Sequence, residues 1–94
     1  MEYSTGVRVG DSITVGAREA DLLNSDRFAR VAPPGLHGRI ELADAGGGHY
    51  RLALPGVGGQ VVEALTVIAE SGEDTREAVA AEALAAAIRQ RLAQ

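Results

Sequence analysis

The segment that begins at Asp74 carries the pattern that most constrains the fold of this chain. Asp74-Thr75-Arg76-Glu77 fits a capping box, in which the Asp74 side chain accepts backbone N–H groups and Glu77 reaches back from the third helical position. Apolar residues then share one face at helical spacing, with Ala83 beside them: Ala80, Leu84, Ala87, Ile88 and Leu92. The residues expected on the opposite face are Glu82, Arg89 and Gln90. The pattern predicts a helix over residues 75–93. Because this face is mostly alanine, we expect the helix to pack closely on a sheet.

The middle of the chain predicts a β-hairpin. Apolar and polar residues alternate over residues 39–42 and again over residues 50–54. Between them, the glycines of Asp44-Ala45-Gly46-Gly47-Gly48 can adopt positive φ without steric cost, as a tight reversal requires. Pro55-Gly56 is expected to close the second strand, and Gly58-Gly59 to extend the loop.

The first third predicts strand, helix and strand. Valine and isoleucine alternate with polar residues as two short strands or one bent strand would require: Val7, Val9, Ile13 and Val15. Residues 17–23 have helical spacing, and Asn24-Ser25 ends that turn. Residues 28–31 then predict a short strand or extended stretch. Pro33-Pro34-Gly35 ends any regular element, because Pro34 disfavours the helical conformation at Pro33.

Residues 61–69 are rich in β-branched side chains and predict a strand buried on both faces. A helix competes there, since Glu63-Ala64-Leu65 favours one, but the β-branched content favours the strand. The expected fold is therefore α+β, with one domain over residues 1–94. It comprises a small, mostly antiparallel sheet with a β-hairpin, a short N-terminal helix and a C-terminal Ala-rich helix packed on the sheet. The residues expected to pack are Leu84, Ile88, Leu92, Val67, Ile40 and Leu52.

Composition excludes several classes of function. The net charge is −4 and the nine basic residues are all arginines that form no run, which argues against a nucleic-acid partner. There is no cysteine, so disulfides, thiolate metal sites and thiol catalysis are excluded. The opening Met1-Glu2-Tyr3-Ser4 lacks a signal peptide pattern, and no apolar run approaches the ~20 residues of a membrane helix. We therefore expect no membrane partner and a location in the cytoplasm or in a particle assembled there.

No pattern of residues predicts a catalytic, metal or cofactor site. His37 and His49 lie twelve positions apart with Glu41 and Asp44 between them, a spacing that matches no zinc pattern. The acids around Asp74 lack the ligand spacing of a calcium loop, and a capped helix explains them. The glycines at 56, 58 and 59 match neither phosphate-binding motif. The serines, Ser4, Ser12, Ser25 and Ser71, lack a nucleophile elbow. We expect no enzyme activity and no cofactor.

Two segments resemble modules of tailed bacteriophages. Val9-Gly10-Asp11-Ser12-Ile13-Thr14-Val15 and the following residues 17–31 resemble a strand, short helix and strand of head–tail accessory proteins. Ser71-Gly72-Glu73-Asp74-Thr75, leading into the Ala-rich segment, is similar to a strand–turn–helix of tail-tube and tail-sheath domains. The resemblance covers about half the chain and implies a virion component that supplies no catalytic residues.

The expected function is that of a non-enzymatic structural or assembly protein whose partners are protein subunits, either copies of itself or other virion components. Open strand edges and helix faces suit such contacts. The alternative is a monomeric bacterial binding or regulatory module. It would recognise a peptide or small ligand in the loops at residues 33–38 and 56–59. A pocket lined by Tyr3, Phe28 or Tyr50 would favour that alternative.

Overall fold

A computed structural model describes residues 12–71 and 74–93 of the chain. The described elements are three strands, four α-helices and one 3-10 turn. In chain order they are β1 (Ser12–Gly16), α1 (Ala17–Leu23), α2 (Asp26–Val31), the 3-10 turn (His37–Arg39), β2 (Glu41–Gly46), β3 (His49–Ala53), α3 (Gly58–Ser71) and α4 (Thr75–Leu92). The predicted α+β class is confirmed. Tyr3, Val7 and Val9, which entered the predictions, lie outside the described residues.

The sheet is antiparallel throughout, with β3 in the centre and the order β1-β3-β2. Leu52 of β3 lies opposite Ile13 of β1 and opposite Leu42 of β2. Because side chains alternate across a sheet, these three apolar residues share the face that packs on the helices. The opposite face carries exposed residues such as Thr14 and Arg51.

The predicted hairpin is confirmed as β2 and β3. Gly46, Gly47 and Gly48 all have positive φ, at 86°, 64° and 80°. The Gly46 N–H donates to Asp44 Oδ1 at 2.7 Å, which fixes the entry to the turn. The pairing shifts between Asp44 and Gly46, so the hairpin carries a bulge at its tip.

The prediction of a strand at residues 61–69 is wrong, because this segment lies within α3. Its buried residues are Val61, Ala64, Leu65 and Ile68, which recur at the spacing of one helical face. A strand buried on both faces would also bury Val67, whose side chain is 52% exposed. Helix propensity disfavours valine and isoleucine by only about 0.5 kcal/mol each, so packing of this face decides the conformation. Gly58 and Gly59 begin this helix and do not extend the loop before it.

The prediction of an extended stretch at residues 28–31 is also wrong, because these residues belong to α2. Ser25 is the N-cap: its Oγ accepts from the Phe28 N–H at 3.2 Å. The same hydroxyl donates to the Leu22 carbonyl at 2.6 Å, at the end of α1. One serine thus ends one helix and starts the next, and Phe28 is fully buried as a result.

The prediction of α4 is confirmed, with Asp74 as N-cap. Asp74 Oδ1 accepts from the N–H groups of Arg76 at 2.9 Å and Glu77 at 3.2 Å. The helix contacts the sheet at β1 and also contacts α1, but its most extensive contact is with α3. Its buried residues are Ala80, Ala81, Leu84, Ala85 and Ile88.

The predicted apolar face of α4 is wrong at three residues. Ala83, Ala87 and Leu92 are exposed, the last by 57%, whereas Ala81 and Ala85 are buried. The reason is that α4 packs along α3, a helix that the sequence pattern did not predict. This packing rotates the buried side of α4 away from residues 83 and 87.

The core lies between the sheet and the helices, and its largest fully buried side chains come from all layers: Phe28, Leu23, Leu52, Leu65, Ile68, Leu84 and Val61. The predicted core positions Leu84, Ile88 and Leu52 are confirmed, and Ile40 is half-buried against the core. Within residues 12–71 and 74–93, no buried residue is polar or charged. The helices of this part of the chain include none that is long and apolar enough to cross a membrane.

Replacing Leu84 with alanine is expected to lower the free energy of unfolding by about 2–5 kcal/mol, because the side chain is only 1% exposed and leaves a cavity. Leu92→Ala on the same helix is the matched control, and its expected cost is about 1 kcal/mol or less. Urea unfolding followed by circular dichroism measures both. Equal losses in the two variants would contradict the packing of α4 described above.

Substitutions at two glycines, Gly56 and Gly59, test where α3 begins. Gly59 lies in the first turn of the helix, and a Cβ there would meet no atom within 4 Å. Gly59→Ala is therefore expected to raise the free energy of unfolding by about 0.4–1 kcal/mol. Gly56 has a φ of +73°, so Gly56→Ala is expected to lower it by about 1–2 kcal/mol. Urea titration measures both variants. A change of the same sign in the free energy of unfolding of Gly56→Ala and Gly59→Ala would contradict a helix that begins at Gly58.

Candidate functional site

The two histidines lie on different elements. His37 is in the 3-10 turn, where its Nε2 lies 3.1 Å from Asn24 Oδ1, and His49 begins β3. Glu41 and Asp44 are exposed on β2. In the described part of the chain, no three His, Asp or Glu side chains are grouped so as to hold a metal ion.

The other residues considered for sites have structural roles where they are described. Asp74 caps α4, and Ser25 caps α2. Ser71 Oγ donates to the Ile68 carbonyl at 2.9 Å at the end of α3. Ser12 lies on β1, and its carbonyl accepts from Arg91 Nη2. Ser4 and Glu73 lie outside the described residues.

The structure brings together the two loops that the sequence proposed as a ligand site. They line one cleft of about 320 Å³, which we call the loop cleft: Pro33, Pro34, Gly35, Leu36, Arg39, Val57 and Gln60. Arg39 joins the loops, because its Nη2 donates to the Pro55 carbonyl at 3.2 Å. Phe28 does not line this cleft, since it is fully buried in the core, and Tyr50 is half-buried on β3.

A second cleft, of about 330 Å³, lies between α1 and the start of α4. Its charged lining residues are Arg18, Asp21, Arg76 and Glu77, two cations and two anions. Glu77 Oε1 also lies 3.4 Å from Arg27 Nε, which ties α4 to α2. The cleft therefore carries side chains of both signs.

The edges of the sheet are poor surfaces for another strand. β2 is one edge, and its exposed residues include Glu41 and Asp44, with the bulge at its end. Charged residues and bulges on an edge strand oppose pairing with another chain. At the other edge, the Ser12 carbonyl of β1 already accepts a hydrogen bond from Arg91.

The surface of α4 that faces away from α3 is the remaining candidate. We call it the outer face of α4, and it consists of Val79, Ala83, Ala86 and Gln90, all exposed. Val79 is 61% exposed, the highest value among the exposed large apolar side chains of the described residues. An open groove of about 220 Å³ beside α1 borders this face and is lined in part by Val79 and Ala83. The helix is thus apolar on its buried side and at three of the four positions on its outer face.

No family model, curated protein or solved structure matches the chain. In each of the two segments that resemble virion modules, the structure has a helix where the resemblance implies a strand. The first segment has α2 in place of its second strand, and the second segment has α3 in place of the strand before the turn. The virion setting stays a prediction from the sequence.

Sequence reasoning missed the outer face of α4 because it placed Ala83 beside the apolar face and assigned Val79 and Ala86 to no face. The signal that would have found it is the number of apolar positions in the helix. Residues 78–88 hold ten alanine, valine, leucine or isoleucine residues among eleven, more than one buried face requires.

Proposed function

We propose that this chain is a non-enzymatic assembly protein that acts through protein–protein contacts. The observation that carries the proposal is the outer face of α4, where Val79 and two alanines are exposed beside an open groove. Exposed apolar residues gathered on one face, next to polar neighbours, are typical of protein interaction surfaces. The charges and the bulge of β2 favour helix packing over strand pairing as the mode of contact.

The virion membership implied by the sequence resemblance belongs to this proposal as its most specific version. Identification of the partner decides whether the chain is a virion component.

Photo-cross-linking in the native host tests the proposed function. A benzophenone amino acid at position 79 is expected to give a discrete product of higher mass, because the outer face of α4 lies against a partner. The same amino acid at position 67 is the matched control, since Val67 is also an exposed valine but lies on α3. No product at position 79, or equal products at both positions, would overturn the proposal. Mass spectrometry of the product identifies the partner.

A second candidate function is the binding of a peptide or small ligand in the loop cleft. The observation that favours it is the meeting of two loops that are distant in sequence, with Arg39 between them. Arg39 is the charged residue among those lining the cleft, so an acidic peptide is the preferred ligand under this candidate.

Titration with short acidic, basic and apolar peptides, followed by amide chemical shifts in nuclear magnetic resonance, tests this second candidate. The expected result is that only acidic peptides shift the amides of Gly35, Val57 and Gln60. Arg39→Gln is expected to remove those shifts, and Arg51→Gln on the exposed sheet face is expected to keep them. Shifts outside the cleft, or none with any peptide, would reject the candidate.

A further inference from the structure

The residues of the outer face of α4 follow a heptad pattern. The outer face, Val79, Ala83, Ala86 and Gln90, has spacings of four, three and four residues. The series extends by three residues at each end, to Arg76 and Ala93, which are also exposed. Alternating spacings of three and four place residues along one seam, the arrangement by which two helices pack side by side.

We infer that the partner of this seam is a second copy of the chain, with the two α4 helices packed antiparallel about a two-fold axis between residues 83 and 86. This inference rests on the proposed function and names its partner. In that arrangement Val79 lies opposite Gln90 of the second copy, and Ala83 lies opposite its Ala86. The seam is self-complementary, as a two-fold interface requires.

Charge complementarity selects the second copy and the antiparallel direction. Glu82 and Arg89 are exposed, and each lies one position before a residue of the seam, so they flank it on the same side. In an antiparallel pair, Glu82 of each copy meets Arg89 of the other, which forms two ion pairs. In a parallel pair in register, Glu82 of each copy lies beside Ala87 of the other copy, and neither ion pair forms.

The position of Arg89 suits this role. Its Nη2 donates to Thr66 Oγ1 at 3.1 Å, which holds the guanidinium on the α3 side of the seam, the side on which Glu82 also lies. An arginine has five N–H donors, so other donors remain for a carboxylate. At the α1 side of the seam, Arg18, Glu19 and Arg76 line the groove with mixed charge. The selection of the partner therefore depends on Glu82 and Arg89.

The small side chains set the strength of the contact. Alanines at positions 83 and 86 let the two helix axes approach to about 8 Å, the short end of the usual range. They also bury little apolar area, so the expected dissociation constant is weak, on the order of 10–100 µM.

Sedimentation equilibrium of the purified protein, from about 1 µM to about 1 mM, tests the inference. The mass is expected to rise with concentration from 9.7 kDa to twice that value. Val79→Glu is expected to weaken association by about tenfold or more, and the matched control Val67→Glu is expected to leave it unchanged. A chain that stays monomeric throughout, or equal effects of the two variants, would overturn the inference.

Charge exchange tests the pairing of Glu82 with Arg89. Glu82→Arg and Arg89→Glu are each expected to weaken association by about tenfold, because both ion pairs become repulsive. The double variant is expected to restore it. If the double variant associates as weakly as the single variants, the antiparallel pairing is refuted.

Cysteine cross-linking tests the direction of the helices, and the absence of native cysteine makes each introduced site unambiguous. A mixture of Val79→Cys and Gln90→Cys chains is expected to form a mixed disulfide on oxidation. Val79→Cys alone is expected to form none, since eleven residues of helix separate the two positions by about 16 Å. The opposite result would show a parallel pair and overturn the inference: a disulfide between two Val79→Cys chains, and no mixed disulfide between a Val79→Cys chain and a Gln90→Cys chain.

The photo-cross-linked product at position 79 separates this inference from the proposed function. A product that joins two copies of the chain supports both. A product with a different protein, together with a monomer in sedimentation, retains the assembly function and overturns the second copy as partner.

Discussion

The packing of α3 along α4 is the contact on which the rest of this small structure depends. Four residues at helical spacing on α3, Val61, Ala64, Leu65 and Ile68, are buried, and α4 contributes a matching buried side that includes Leu84 and Ile88. The chain has only three aromatic residues, so burial of aliphatic side chains carries most of the stabilisation. Alanines on α4 let the two helices approach closely, which compensates for the small size of the side chains in the core.

This contact also decides which surfaces are available for function. Because α4 turns Leu84 and Ile88 toward the interior, Val79 and Ala83 face outward. The sheet presents a polar open face, and its β2 edge is charged and bulged, so strand pairing is disfavoured. A contact with another protein through a helix is therefore favoured by the arrangement of the whole domain.

The loop cleft depends on a different and more local set of contacts. The donation of Arg39 to the Pro55 carbonyl joins a proline-rich turn to the segment that leads into α3. Both loops could be identified in the sequence from their proline and glycine residues, because these residues restrict or extend the backbone conformations available. That they face each other could not be predicted, since it depends on where the hairpin places the start of α3. The outer face of α4 is the reverse case: its residues lie in a helix that the sequence predicts well, but three residues predicted on or beside the apolar face, Ala83, Ala87 and Leu92, are exposed.

The hairpin, α1 and α4 follow from the sequence alone, because each is specified by neighbouring residues: the glycines at 46–48, the helical spacing at 17–23 and the Asp74 cap. The conformation of residues 58–71 and the rotation of α4 depend instead on packing between segments that are distant in sequence. Valine and isoleucine are compatible with both helix and strand at a cost of a few tenths of a kcal/mol each. An Ala-rich helix has no single apolar side that its sequence distinguishes. In both segments local preferences are weak, and the burial of one face against the other segment is the larger free energy.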